Sequence, residues 1–164
     1  MMLNPETGEL RFLAANFKIG PSLTLESLRD LPVPVEDDLG PDLVPMMKTK
    51  AIHWVDGGPA GRFCVRLDFL RSTLAGVRLM AKRADFPPNL SDWDLKREEA
   101  RHDFHCLWAR RQLGWLWRLR RYPWGRVQAL CGRNLDKTPR ESILKVVYID
   151  FGEIEERLAR EFTT

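Results

Sequence analysis

His102, His105 and Cys106, in the run RHDFHC, are the side chains nearest to a chemically active set. Zinc accepts imidazole and thiolate ligands, and a thiol beside an imidazole can become a nucleophile, with Asp103 placed to orient a ring. The spacing speaks against both uses. On a helix His102 and Cys106 share a face, whereas His105 is turned about 60° to 100° away, and no second ligand pair at conventional spacing occurs elsewhere. No oxyanion-hole loop accompanies the thiol. Gly57, Gly58 and Gly61 fall in a hairpin turn without a following helix, so they do not form a phosphate loop. The expectation is a chain with no catalytic residues, no metal site and no cofactor, its two histidines on a helix surface beside a packed thiol.

Residues 108–126 offer different chemistry. Guanidinium groups bind phosphates and indoles stack on bases, so Arg118, Arg120 and Arg121 with Trp115 and Trp117 could make a nucleic-acid-binding module. The plainer reading, which we prefer, makes the tryptophans core residues and the arginines solvated or paired to acidic segments. Charge is unevenly placed: from Arg101 to Arg126 there are seven arginines and one acidic residue, while residues 26–42 and 153–161 run acidic. In residues 31–47 (LPVPVEDDLGPDLVPMM) four prolines forbid a regular helix and disfavour an interior strand, and Glu36, Asp37, Asp38 and Asp42 concentrate negative charge. That segment reads as a surface loop, either a connector or a partner-recognition element.

The element that must position most of these residues is a helix over residues 91–114. Ser91 with Asp94 resembles a capping box, and Gly114 follows Arg110 and Arg111 at the far end. Trp93, Ala100, Phe104, Leu107 and Trp108 form its apolar stripe, flanked by Arg97 and Arg101, with a thinner stripe of Leu95, Cys106, Ala109 and Leu113 opposite. Before it, LRFL and NFKI make a tight hairpin, Thr24 caps a short helix with Leu25 and Leu28 inward, and residues 49–55, 62–70 and 74–82 make a three-strand meander. After it, residues 115–121 alternate with strand-like period, residues 124–132 and 143–151 form a last strand pair, and residues 153–162 form a terminal helix. The fold class is α+β: an antiparallel β-sheet of about six to seven strands, one long α-helix packed on it, and short helices near the N- and C-termini.

A chain of 164 residues fits one domain, residues 1–164, large enough to need no disulfide or metal staple. Three widely spaced cysteines suit a reducing compartment, and neither a signal peptide nor a membrane span is legible, so a soluble cytoplasmic protein is expected. The net charge of +3 does not by itself suggest nucleic acid.

From Trp93 onward, a tryptophan, a charged helix containing RHDFHCLW, a glycine, YPWGRV and a final strand ILKVVYID follow one another, after an opening of NPETGELRF and FKIGPSLTLESL. This order resembles small bacterial immunity proteins encoded beside polymorphic toxins, including those of Rhs and type VI secretion loci. The matching residues are Trp93, His102, Asp103 and Trp108 on the helix and the step Trp124-Gly125 before the last hairpin. The resemblance implies binding without catalysis: an antitoxin that occludes the active site or substrate path of a cognate toxin effector domain, with nucleic acid and membrane not its partners. The His-Asp pair and the Trp-Gly step then hold the fold. Partner contact falls either to Glu36, Asp37, Asp38 and Asp42 or to Arg118, Arg120 and Arg121.

Overall fold

The computed structural model describes residues 1–37, 47–58, 61–86, 93–131 and 141–149. Within them the chain runs β1 (Met2–Leu3), β2 (Leu10–Phe12), β3 (Phe17–Ile19), a 3-10 turn (Ser27–Asp30), β4 (Glu36–Asp37), β5 (Met47–Asp56), β6 (Arg62–Leu70), β7 (Thr73–Lys82), α1 (Leu95–Leu113), β8 (Arg126–Leu130) and β9 (Ile143–Val147). The architecture is α+β, with every strand pair antiparallel. The expected helix over residues 153–162 lies outside the described residues, as do Asp38, Asp42 and Ser91.

Alternation builds the centre. Phe63, Val65, Leu67 and Phe69 of β6 are fully buried, and Val65 and Leu67 sit opposite Leu79 and Val77 of β7, so one face of the sheet is apolar throughout. The other face is mixed, with the buried Cys64, Met80 and Val147 beside polar side chains. Arg66, Arg78, Lys145 and Gln128 follow one another in a row across four strands, an alignment of like charges that costs stability unless it is neutralised. Asp68, itself buried, accepts two hydrogen bonds from Arg78, at 2.6 and 2.9 Å, and one from the Thr49 hydroxyl at 3.2 Å.

The large sheet has the order β4-β5-β6-β7-β9-β8, so the last of the described strands inserts between β7 and β8. Burial explains the placement: Leu144, Val146 and Val147 of β9 are all buried, whereas β8 is only half-buried and takes the edge. The N-terminal hairpin forms as expected, with Asn16 at a positive φ of 51° in its turn, but it belongs to a separate sheet of order β1-β2-β3. Phe12 and Phe17 stack within it, with ring centroids 4.7 Å apart.

Four local expectations are corrected. Residues 115–121 form no strand, with turns over 115–119: of the alternating set only Trp117 is buried, and Leu119 N–H donates back to the Leu116 carbonyl, because among the described residues no neighbouring strand offers a ladder to this segment. Glu36 and Asp37, expected in a loop, pair with Ala51 and Lys50 as a two-residue edge strand. The helix starts at Leu95, and Asp94 caps it by accepting from Arg97 N–H at 2.9 Å.

The fourth concerns the buried face of α1. It carries Glu98, Arg101, His105, Trp108, Ala109 and Leu113, centred about 120° around the helix from the main stripe that hydropathy picks out, with which it shares Trp108, and it takes in Ala109 and Leu113 of the thinner stripe. Hydrogen bonding decides this orientation. β9 pairs with β7 only from Gly76 to Leu79, and beyond that last rung Ala81 N–H donates to His105 Nε2 at 3.1 Å. Just before β9, Ser142 N–H donates to Glu98 Oε2 at 2.6 Å and the Ser142 hydroxyl donates to the Glu98 carbonyl at 2.9 Å. Buried backbone donors left by the sheet require acceptors, and the polar side of the helix supplies them.

Candidate interaction surface

α1 ends at Gly114, whose φ of +84° reverses the chain while its N–H donates to the Arg110 carbonyl. The turns that follow are pinned by one indole: Trp117 is 4% exposed, whereas its neighbours Trp115, Leu116 and Leu119 are 70%, 64% and 85% exposed. Leu107 on the last turns of α1 is exposed too. Large apolar side chains left this open in one short segment make these residues a candidate interaction surface.

Arginines frame these side chains, and several are held in place. The Arg110 guanidinium lies 3.4 Å from the centroid of the Trp115 ring, Arg118 lies 5.3 Å from that of Trp117, and Arg120 lies 5.2 Å from that of Tyr122. Stacking of this kind reduces the side-chain entropy lost when a partner docks. Arg118 also donates from Nη2 to the sulfur of Cys106 at 2.8 Å. No aspartate or glutamate occurs in residues 104–131, so the field over this surface is positive without internal compensation.

The base of the surface is a tight turn. Tyr122 and Gly125 exchange two backbone hydrogen bonds, of 2.8 and 3.0 Å, and Trp124 between them stacks on Tyr122 at 4.9 Å and meets the edge of Tyr148 at 6.1 Å. Trp124 Nε1 donates to the Pro5 carbonyl and the Tyr148 hydroxyl donates to the Gly8 carbonyl, tying the turn to the small sheet. Burial pushes the Tyr148 phenol above its ordinary pKa, so it remains a donor. A recess of about 190 Å³ opens here among Arg121, Tyr122, Trp124, Arg126 and Tyr148.

The two sets of candidate contact residues do not meet. Arg118, Arg120 and Arg121 are exposed on the segment leading into β8, at one edge of the large sheet, while Glu36 and Asp37 lie on β4 at the other. Five strand spacings separate those edges, about 24 Å. Asp37 is paired with Lys50, while Glu36 stays an exposed carboxylate 3.5 Å from His53. The cationic surface combines its charge with large exposed apolar side chains, a combination that Glu36 and Asp37 of β4 do not have. No family model, curated protein or solved structure matches this chain. The surface must therefore be read from its own chemistry.

His105, expected on the helix surface beside His102, is buried instead. Desolvation first, then the nearby Arg101 and His102 charges, hold its pKa down at about 3. It is thus a neutral acceptor for Ala81 N–H at ordinary pH. Among the described residues no group of three or more His, Cys, Asp or Glu side chains is arranged to hold a metal ion. The histidine carries a pH dependence whose sign is fixed. Its folded pKa lies below the unfolded value near 6.5, so the unfolded chain takes up the proton first and stability falls as pH drops from 6.5 towards 3. The loss from this group is expected to reach about 2 kcal/mol by pH 5. Urea unfolding at pH 7 and pH 5 checks it, and in His105→Gln this share of the pH dependence should vanish.

Proposed function

We propose that this chain is a non-catalytic binding protein of the cytoplasm that neutralises a secreted bacterial toxin, docking on the effector domain encoded beside it through the surface around Trp115, Leu116 and Leu119. One observation carries the reading: three large apolar side chains stand exposed in a five-residue span framed by stacked arginines. Tryptophan and arginine are the residues that dominate interface energetics, and apolar anchors inside a charged rim are how protein interfaces are built. The resemblance to immunity proteins of polymorphic toxin systems supports the choice of partner. Among the described residues no helix is long and apolar enough to cross a membrane, which fits a protein that acts away from the bilayer.

The mechanism is steric. A surface carried on the end of α1 and fixed by Trp117 and the Tyr122–Gly125 turn can cover an active site or substrate path without moving. The positive field speeds encounter with an acidic face and makes the association rate fall with salt. Nucleic acid is the weaker reading. Trp117 and Trp124 are buried, and Trp115 has one face occupied by Arg110, so of these three indoles only Trp115 offers an open face to a base.

Co-expression with the neighbouring effector should restore growth and yield a complex that co-purifies. In that complex the double variant Trp115→Ala/Leu119→Ala is expected to weaken binding by about 30-fold or more, with the unfolding midpoint unchanged. Unaltered affinity would remove this surface from the interface. Steeply salt-dependent binding to oligonucleotides, lost on reversing the charge of Arg118 and Arg120, would favour nucleic acid instead.

A further inference from the structure

The recess of about 190 Å³ at the base of the exposed surface contains a donor that the fold leaves unused. Of its three aromatic walls, Trp124 commits its Nε1 to the Pro5 carbonyl and Tyr148 commits its hydroxyl to the Gly8 carbonyl. Tyr122 is the exception. The residue is 6% exposed, and its hydroxyl, itself buried, has no hydrogen-bond partner among the described residues. Buried polar atoms are nearly always paired, and leaving one unpaired costs free energy that a ligand bringing an acceptor recovers.

We propose that the recess is a carboxylate-binding subsite: an aspartate or glutamate side chain of the docking partner enters it, pairs with the Arg121 guanidinium and accepts from the Tyr122 hydroxyl. That the carboxylate arrives on a protein partner rests on the proposed function; that the recess takes a carboxylate does not.

Charge selects the class of ligand. Arg121 lines the recess, is exposed and has no ion pair among the described residues. Arg126 lines it too, and the Arg120 guanidinium lies 5.2 Å from the centroid of the Tyr122 ring. No aspartate or glutamate occurs in residues 104–131, and Glu9, whose charge acts on Tyr148, is already held by Lys18 and Arg11. An anion is therefore favoured over a neutral group. Burial raises the Tyr122 pKa against the opposing charge of Arg120, so the phenol enters the contact as a donor. The planar fork of an arginine matches the two oxygens of a carboxylate.

Size selects within the class. Pockets for drug-sized ligands and cofactors run to about 300–1,000 Å³, so this smaller recess suits a carboxylate on a short methylene stem, which the rings of Trp124 and Tyr148 can cover. Those walls are fixed before anything binds, because Trp124 stacks on Tyr122 and both Trp124 and Tyr148 are tied to the small sheet.

The test titrates the full chain, labelled with nitrogen-15, with propionate at about pH 7.5, where the acid is fully ionised, and follows the backbone amides of Trp124 and Gly125. Sodium chloride and propionamide at matched concentrations are the controls. Propionate is expected to saturate with a Kd of about 1–10 mM, and propionamide to bind at least about tenfold more weakly. Tyr122→Phe keeps the ring stack and removes only the donor. It should weaken propionate several-fold without lowering the unfolding midpoint, since the lost hydroxyl had no partner, and Arg121→Gln should weaken it about tenfold. Shifts that stay linear to about 100 mM, equal binding of propionamide, or an affinity indifferent to both substitutions would overturn the subsite. In the complex with the effector, each of the two substitutions should weaken binding about fivefold to tenfold. If the complex ignores both yet is weakened by Trp115→Ala/Leu119→Ala, the partner's carboxylate is ruled out and the docking face stands. If it ignores Trp115→Ala/Leu119→Ala yet is weakened by Tyr122→Phe and Arg121→Gln, the docking face falls and the subsite stands.

Discussion

Replacing Arg101 with methionine is expected to destabilise the fold by about 3–5 kcal/mol, as much as truncating a large apolar core side chain to alanine. Arg101 and Glu98 are both wholly buried on α1, with Arg101 Nη1 donating to Glu98 Oε1 at 2.7 Å. Desolvation lowers the Arg101 pKa, and the carboxylates of Glu98 and Glu141 oppose it. Methionine fills much of the volume but strips Glu98 of its counter-charge, leaving a buried carboxylate whose other oxygen is committed to Ser142 N–H. Destabilisation therefore comes from the orphaned charge rather than from lost attraction. The double variant Glu98→Gln/Arg101→Met separates these. An amide keeps an acceptor for Ser142 and carries no charge, so the double variant should regain much of what Arg101→Met loses. Urea unfolding of the two variants beside the parent decides the matter, and a double variant as unstable as the single would show that volume or hydrogen bonding, not charge, is the cause.

Gly125→Ala is the second large effect, expected at about 3 kcal/mol or more. Gly125 has a φ of +139°, and a Cβ built there would stand 1.9 Å from the Val147 carbonyl oxygen and 3.1 Å from the Tyr148 Cα. Those neighbours are backbone and cannot swing aside. Either the Tyr122–Gly125 turn opens or β9 shifts, and each outcome moves the base of the arginine-rich surface. Gly114→Ala is the control: its φ is +84°, yet nothing lies within 4 Å of the added Cβ. It should cost only the backbone strain of a positive-φ extended conformation that favours glycine, about 1–3 kcal/mol. Comparable losses at both positions in thermal unfolding would show that conformation alone matters and that the close approach to β9 does not.

What was legible in the sequence is what local patterning controls. The β5–β7 meander, the β2–β3 hairpin, the β8–β9 pair, Gly114 as the helix end and the α+β class all follow from period-2 apolar runs and turn residues, which act over a few neighbours in the chain. The basic character of residues 104–131 is equally a property of composition. A segment so rich in arginine that also holds Leu116 and Leu119 carried a readable hint that apolar groups would be stranded at the surface.

Only the tertiary structure decided which way α1 faces and which tryptophans are available. Hydropathy chose a stripe through Trp93, Ala100, Phe104, Leu107 and Trp108, of which Trp108 is buried and Phe104 packs against the core, but Ala81 and Ser142, distant in sequence, present backbone donors that His105 and Glu98 accept, and the helix is turned to meet them. Strand-like alternation at residues 115–121 failed for the related reason that a strand needs a neighbour, and none is supplied there. Insertion of β9 between β7 and β8 likewise depends on long-range pairing. A chain segment encodes its own conformational preference, whereas an unsatisfied hydrogen bond belongs to the assembled sheet, and a buried donor without an acceptor costs more than a misplaced apolar stripe gains.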